Sequence, residues 1–76
     1  MASSLNVSSE LAASIRRVNA RYVAAGSPDC PALRRLWFAL DADVDRAEAA
    51  GDDPAARRAI AAWQEIAITA IDEAAR

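Results

Sequence analysis

The residues Gly51-Asp52-Asp53-Pro54 carry the signal that decides the fold of this chain. Glycine commonly ends a helix, an aspartate side chain caps the first turn of the next one, and proline is well tolerated at the first helical position. This segment therefore predicts a sharp boundary between two helices. We expect one helix to close at Gly51 and the next to begin at about residue 54.

Apolar residues recur at helical spacing on both sides of this boundary. Intervals of three and four residues are typical of amphipathic helices, so the pattern predicts helices over about 30–50 and about 54–75. The first stripe consists of Leu33, Leu36, Trp37, Leu40, Val44 and Ala47. The second consists of Ala56, Ile60, Trp63, Ala67, Ile71 and Ala74.

A third apolar stripe lies nearer the N-terminus and predicts a helix over about 9–25. Ser8 and Ser9 are good capping residues for its start, and Gly26 suits a left-handed residue at its end. Residues 1–7 are predicted to be a loose lead-in. The stripe consists of Leu11, Ile15, Val18, Tyr22 and Ala25.

Three amphipathic helices joined by short turns predict a single all-α domain over residues 1–76. Short connections make successive helices antiparallel, which gives a compact up-down-up three-helix bundle whose core combines the three stripes, Trp37 included. Two sets of ion pairs are expected from this topology. They join Arg16 and Arg17 to Asp41 and Asp43, and Asp45 and Glu48 to Arg57 and Arg58.

Most of the residue types on which catalytic and metal sites depend are missing or isolated. The chain has no histidine, which excludes Ser-His-Asp and Cys-His nucleophile systems and di-iron sites of the Glu-x-x-His type. Cys30 is the single cysteine, so it forms neither an internal disulfide nor a zinc site. The acidic run over residues 41–53 lacks the calcium-loop pattern and is interpreted as a solvated face. We predict no enzymatic activity, cofactor, bound metal or small-molecule substrate.

The charge balance is slightly acidic, and every basic residue is arginine. The formal net charge is −2 and the pI is about 4.9. An arginine-rich composition without lysine is typical of GC-rich bacterial genomes, so we expect a small bacterial protein. No basic N-terminal region is present, and no apolar run approaches the ~18 residues of a membrane span. The predicted location is the cytoplasm.

Several apolar residues fall outside the stripes and suggest a binding surface. Phe38 lies about 140° around helix two from the centre of its apolar face. Ile68 departs from the stripe of helix three, and Ile66 lies at its edge, level with Phe38 in the expected hairpin. Together with Ala42 and Ala62, these residues predict a surface for self-association or for a partner helix. The alternatives are a Phe38 buried in the core, or an isolated exposed residue without function.

The function predicted from these features is protein–protein interaction, as a small regulator, adaptor or inhibitor. Self-association of the chain into a homodimer is one form that this interaction could take. A DNA-binding regulator of helix-turn-helix type is the first alternative, because arginines gather around the turn between helices one and two. The acidic pI, the long helices and the absence of lysine argue against it. An accessory subunit of an enzyme is the second alternative. The nucleic-acid contacts of the first would be Arg16, Arg17, Arg34 and Arg35.

Overall fold

The computed structural model describes the backbone of residues 3–76 and the side chains from residue 7 onward. It contains three α-helices: α1 (Ser3–Ala24), α2 (Ala32–Ala49) and α3 (Asp53–Ala74). No strand occurs within residues 3–76. The predicted all-α three-helix bundle is confirmed, and the bounds of α2 and α3 agree with the sequence pattern to within about two residues.

The boundary between α2 and α3 has the local geometry that its sequence predicts. Gly51 adopts a left-handed backbone with φ of +66°, and the N–H of Asp52 donates to the carbonyl of Ala47 at 2.8 Å. The carboxylate of Asp52 accepts a hydrogen bond from the N–H of Ala55 at 3.1 Å, and Pro54 follows in the first turn. Helix end, cap and proline therefore act together over a few residues.

The loose lead-in predicted over residues 1–7 is wrong for the residues that the structure describes. Helix α1 already begins at Ser3, about one and a half turns before the expected start at residue 9. Val7 is only 1% exposed and belongs to the core. It lies one turn before Leu11 and extends the apolar stripe of α1. Its burial stabilises the additional N-terminal turns of the helix. Residues 1 and 2 lie outside the described part of the chain.

Helix α3 is the central element, because it packs closely on both other helices while α1 and α2 scarcely approach each other. It runs parallel to α1, as shown by side-chain contacts from Ser14 to Gln64 and from Arg21 to Asp72. It runs antiparallel to α2, because the short turn at Gly51 reverses the direction of the chain between the two helices. Ala56 and Ala67 of α3 are fully buried, and such small residues permit close approach between helix axes.

The core follows the three stripes, with two corrections. Ala74, at the end of the third stripe, is exposed because α3 ends there. Trp37, expected to be buried, is 39% exposed, whereas Trp63 is 8% exposed. The two rings meet edge to face with centroids 6.1 Å apart, so Trp37 covers the rim of the core. Its position follows from the wide spacing of α1 and α2, which leaves a cleft beside it. The fully or almost fully buried apolar residues are Val7, Val18, Leu40, Val44, Ala47, Ala56, Ile60, Trp63, Ala67 and Ile71.

The ion pairs expected between helices are also wrong. None of the predicted partners is bonded among the described residues. The first set fails because α1 and α2 are not in close contact, and in the second set Arg57 pairs with Glu10 of α1 instead of with α2. The interhelical pairs instead join α1 to α3: Arg21 to Asp72 at 2.9 Å and Glu10 to Arg57 at 3.4 Å. The third pair, Arg46 with Asp43 at 3.0 Å, lies within α2.

Candidate interaction surface

Phe38 is exposed on the outer side of α2. At about 100° per residue it lies about 160° around the helix from Leu40, which is buried in the core. Its exposed fraction is 64%, so the prediction that Phe38 lies outside the core is confirmed. A large aromatic side chain is therefore presented to solvent by a rigid helix whose opposite side is fixed by packing.

The residues around Phe38 divide α2 into a basic half and an acidic half. Arg34 and Arg35 precede Phe38 by one turn, and Asp41 and Asp45 follow it within two turns. All four side chains are exposed, as is Ala42. We call the exposed positions Arg35, Phe38, Ala42 and Asp45 the outward face of α2.

The other residues predicted for the surface lie on α3 and differ in their exposure to solvent. Ile66 is exposed and lines a shallow depression formed by α3 alone, with Thr69 and Ala70 among its neighbours. Ala62 is exposed as well. Ile68 is partly buried against the core, so it does not add to an exposed surface as its position in the sequence suggested.

The register of α2 against α3 also changes the predicted neighbourhood of Phe38. The contact of Trp37 with Trp63, and that of the Cys30 thiol with the Ala70 carbonyl at 3.6 Å, fix this register. It brings Phe38 closer to the height of Ala62 than to that of Ile66. We therefore limit the candidate surface to α2.

The four arginines considered for nucleic-acid binding lie on two different parts of the surface. Arg17 lines a cleft between α1 and α3, where its guanidinium donates to Oε1 of Gln64 at 3.1 Å. Arg16 is exposed on α1. Arg34 and Arg35 are exposed at the start of α2 and line a separate cleft beside the turn that follows α1.

The sequence pattern did not predict the polar contact between Ser14 of α1 and Gln64 of α3. Ser14 is buried, and its hydroxyl donates to Oε1 of Gln64 at 2.9 Å. The sequence did contain a signal. Ser14 interrupts an apolar stripe between Leu11 and Val18, and Gln64 lies one turn from Ile60 in the same way.

Two of the clefts on this bundle differ in their linings. The larger, about 440 Å³, lies between α1 and α3 and mixes Glu10, Arg17 and Arg57 with the Ser14–Gln64 contact. The smaller, about 290 Å³, lies between α1 and α2 above Trp63 of α3, and its lining is mostly apolar: both tryptophans and aliphatic residues, with Asn19 as the polar member. Within the described residues, no group of three or more His, Cys, Asp or Glu side chains is arranged to hold a metal ion.

No protein-family model, no curated protein and no solved structure matches this chain. Among the helices of residues 3–76, none combines the length and the hydropathy that crossing a bilayer requires. The function is therefore inferred from the surface itself.

Proposed function

We propose that this chain is a non-catalytic protein-interaction module that binds a protein partner through the outward face of α2. The observation that carries the proposal is Phe38, which is 64% exposed on a helix packed on its other side. Fully burying a phenylalanine side chain contributes about 1.5–3 kcal/mol, and aromatic residues are enriched at the centres of protein interfaces.

The surroundings of Phe38 have the composition of an interface. Ala42 is small and lies one turn beyond Phe38, so a partner can approach the helix closely there. Arg35 and Asp45 flank this apolar centre with opposite charges. An apolar centre within a charged rim is the common arrangement in transient protein complexes. A regulator, adaptor or inhibitor would present a surface of this kind.

Two further features support the proposal: one bears on the absence of catalysis, and the other on the cellular location of the protein. The chain has no histidine, the side chain that most often serves in acid–base catalysis. Its single cysteine, Cys30, is a half-buried thiol that anchors the turn before α2 to the Ala70 carbonyl of α3. An unpaired thiol in a structural role suits a reducing compartment, so we infer a cytoplasmic protein. We infer a bacterial origin from the small size and from the arginine-rich composition without lysine.

Site-specific photo-crosslinking tests the proposal. A photo-reactive phenylalanine analogue is placed at position 38 and, in a matched control, at position 23 of α1, where Val23 is 69% exposed. We expect a discrete protein adduct from position 38 in cells that express the chain, several-fold stronger than from position 23. Equal adducts from both positions, or none from position 38, would contradict the proposal.

Titration with a short DNA duplex separates this function from the alternative regulator. We expect no salt-sensitive binding, because the chain is acidic and its arginines lie on two separate surfaces. Binding that weakens steeply with salt, and that is lost in the variant Arg34→Ala with Arg35→Ala, would favour DNA binding instead. An adduct with one defined enzyme would identify an accessory subunit.

A further inference from the structure

The outward face of α2 has the spacing of a helix–helix contact. Its residues Arg35, Phe38, Ala42 and Asp45 follow one another at intervals of three, four and three. This alternation keeps side chains on one side of a helix over nearly three turns and is the pattern by which paired helices interlock. The stripe lies on the opposite side from Leu40 and Val44, which bind α3 and the core.

We propose that the partner of this face is a second copy of the chain, bound through an antiparallel pairing of the two α2 helices. Phe38 of each copy packs against Ala42 of the other, so that a large side chain meets a small one. The inference rests on the proposed function and names its partner. A twofold axis midway between Phe38 and Ala42 relates the two copies, which is the symmetry of an ordinary homodimer.

The charges of the outward face are complementary to themselves in this orientation. Arg35 lies three residues before Phe38, and Asp45 lies three residues after Ala42. The twofold axis therefore sets Arg35 of each copy opposite Asp45 of the other, and the contact occurs twice. A parallel pairing would instead set each charge against its own kind, which is destabilising. The charge order along α2 thus selects the antiparallel dimer.

The neighbouring charges are compatible with this pairing. Arg34 lies four residues before Phe38 and would approach Arg46 of the second copy, four residues after Ala42. Arg46 is already bonded to Asp43 of its own helix at 3.0 Å, which offsets its charge. Asp45 of the second copy directly precedes Arg46 and is exposed. It is therefore the acidic side chain nearest to Arg34 and Arg35 of the first copy.

The size of the contact sets the expected affinity. Helix α2 has 18 residues and is about 27 Å long, so we expect a single pair of such helices to bury less than the ~1,200 Å² typical of a stable interface. We therefore expect a dissociation constant on the order of micromolar rather than nanomolar. Dimerisation would respond to the concentration of the protein.

Charge exchange between two variants tests the pairing by sedimentation equilibrium on the full chain. Arg35→Asp and Asp45→Arg each set like charges opposite each other in a homodimer, so we expect each alone to self-associate at least about tenfold more weakly. In an equimolar mixture the opposite charges meet again, and a heterodimer should form with nearly wild-type affinity. Arg16→Asp, an exposed change of the same charge on α1, is the matched control and should leave dimerisation unchanged.

The outcomes separate the failure of this inference from that of the proposed function. A wild-type chain that stays monomeric at millimolar concentration overturns the dimer, while a crosslinked adduct with another protein would still support the interaction function. Single variants that lose self-association without recovery in the mixture overturn the antiparallel pairing. Dimerisation that persists in Phe38→Asp, with the fold verified by circular dichroism, overturns the outward face of α2 as the dimer contact, while the crosslink at position 38 decides the proposed function separately.

Discussion

Helix α3 binds its two neighbours by different chemistry. Against α1 it combines apolar burial, with Val7 and Val18 in the core, with polar contacts: the buried Ser14 hydroxyl donates to Gln64, and Arg21 pairs with Asp72. Against α2 it uses alanines, aliphatic residues and the edge-to-face tryptophan pair. Apolar burial is strong and non-directional, whereas a buried hydrogen bond also requires one alignment of donor and acceptor. We infer that apolar burial stabilises both contacts and that the polar side chains add alignment to the contact with α1.

The largest effect that tests this contrast is expected from Trp63→Ala. Trp63 is almost fully buried between the helices, and truncation of such a side chain costs about 3–5 kcal/mol. The free energy of unfolding, measured by urea titration and circular dichroism, should fall by that amount. Since small domains are stable by only about 5–15 kcal/mol, the variant should lie near the limit of folding.

Trp37→Ala is the matched control for this change. It removes the same side chain from the other half of the aromatic pair, but Trp37 is more than a third exposed. We expect it to lose about 1–2 kcal/mol, mainly the ring contact and the covered rim. An equal or greater loss than that of Trp63→Ala would show that the core is centred between α1 and α2 rather than on α3.

The next effect concerns the polar contact between α1 and α3. Gln64→Leu leaves the buried Ser14 hydroxyl without its partner, and such a group costs about 1–3 kcal/mol. Replacing both residues, as Ser14→Ala with Gln64→Leu, removes the unpaired group as well. We expect the double variant to unfold at higher urea concentration than Gln64→Leu alone.

The double variant also tests the alignment that we ascribe to this contact. With the polar pair gone, amide hydrogen exchange in α1 should become faster than in α2, because α1 is no longer held in one register. Unchanged protection of α1 relative to α2 would contradict the assignment and leave Ser14 as an ordinary buried residue.

The same contrast explains how far the sequence predicted the structure. The boundary at residues 51–54 was predicted well because glycine, a capping aspartate and proline act within one turn. The positions of Trp37 and of the ion pairs were not, because they depend on how far apart the helices lie and how each is rotated. The exposure of Phe38 was predicted by the helical period alone, since α2 has only one side buried. Val7 and the Ser14–Gln64 contact require knowledge of which residues α3 places opposite α1.

The smallest expected effect is that of the ion pair at the far end of the contact between α1 and α3. Arg21 donates two hydrogen bonds to Asp72, each at 2.9 Å, but the arginine side chain is 52% exposed. A double-mutant cycle with Arg21→Ala and Asp72→Ala should give a coupling energy of about 0.2–1 kcal/mol, because solvent weakens the attraction. Added salt should reduce it further. A coupling well above 1 kcal/mol that persists in salt would mean that this ion pair contributes stability as well as alignment to the contact between α1 and α3, and the distinction between polar and apolar contributions would not hold.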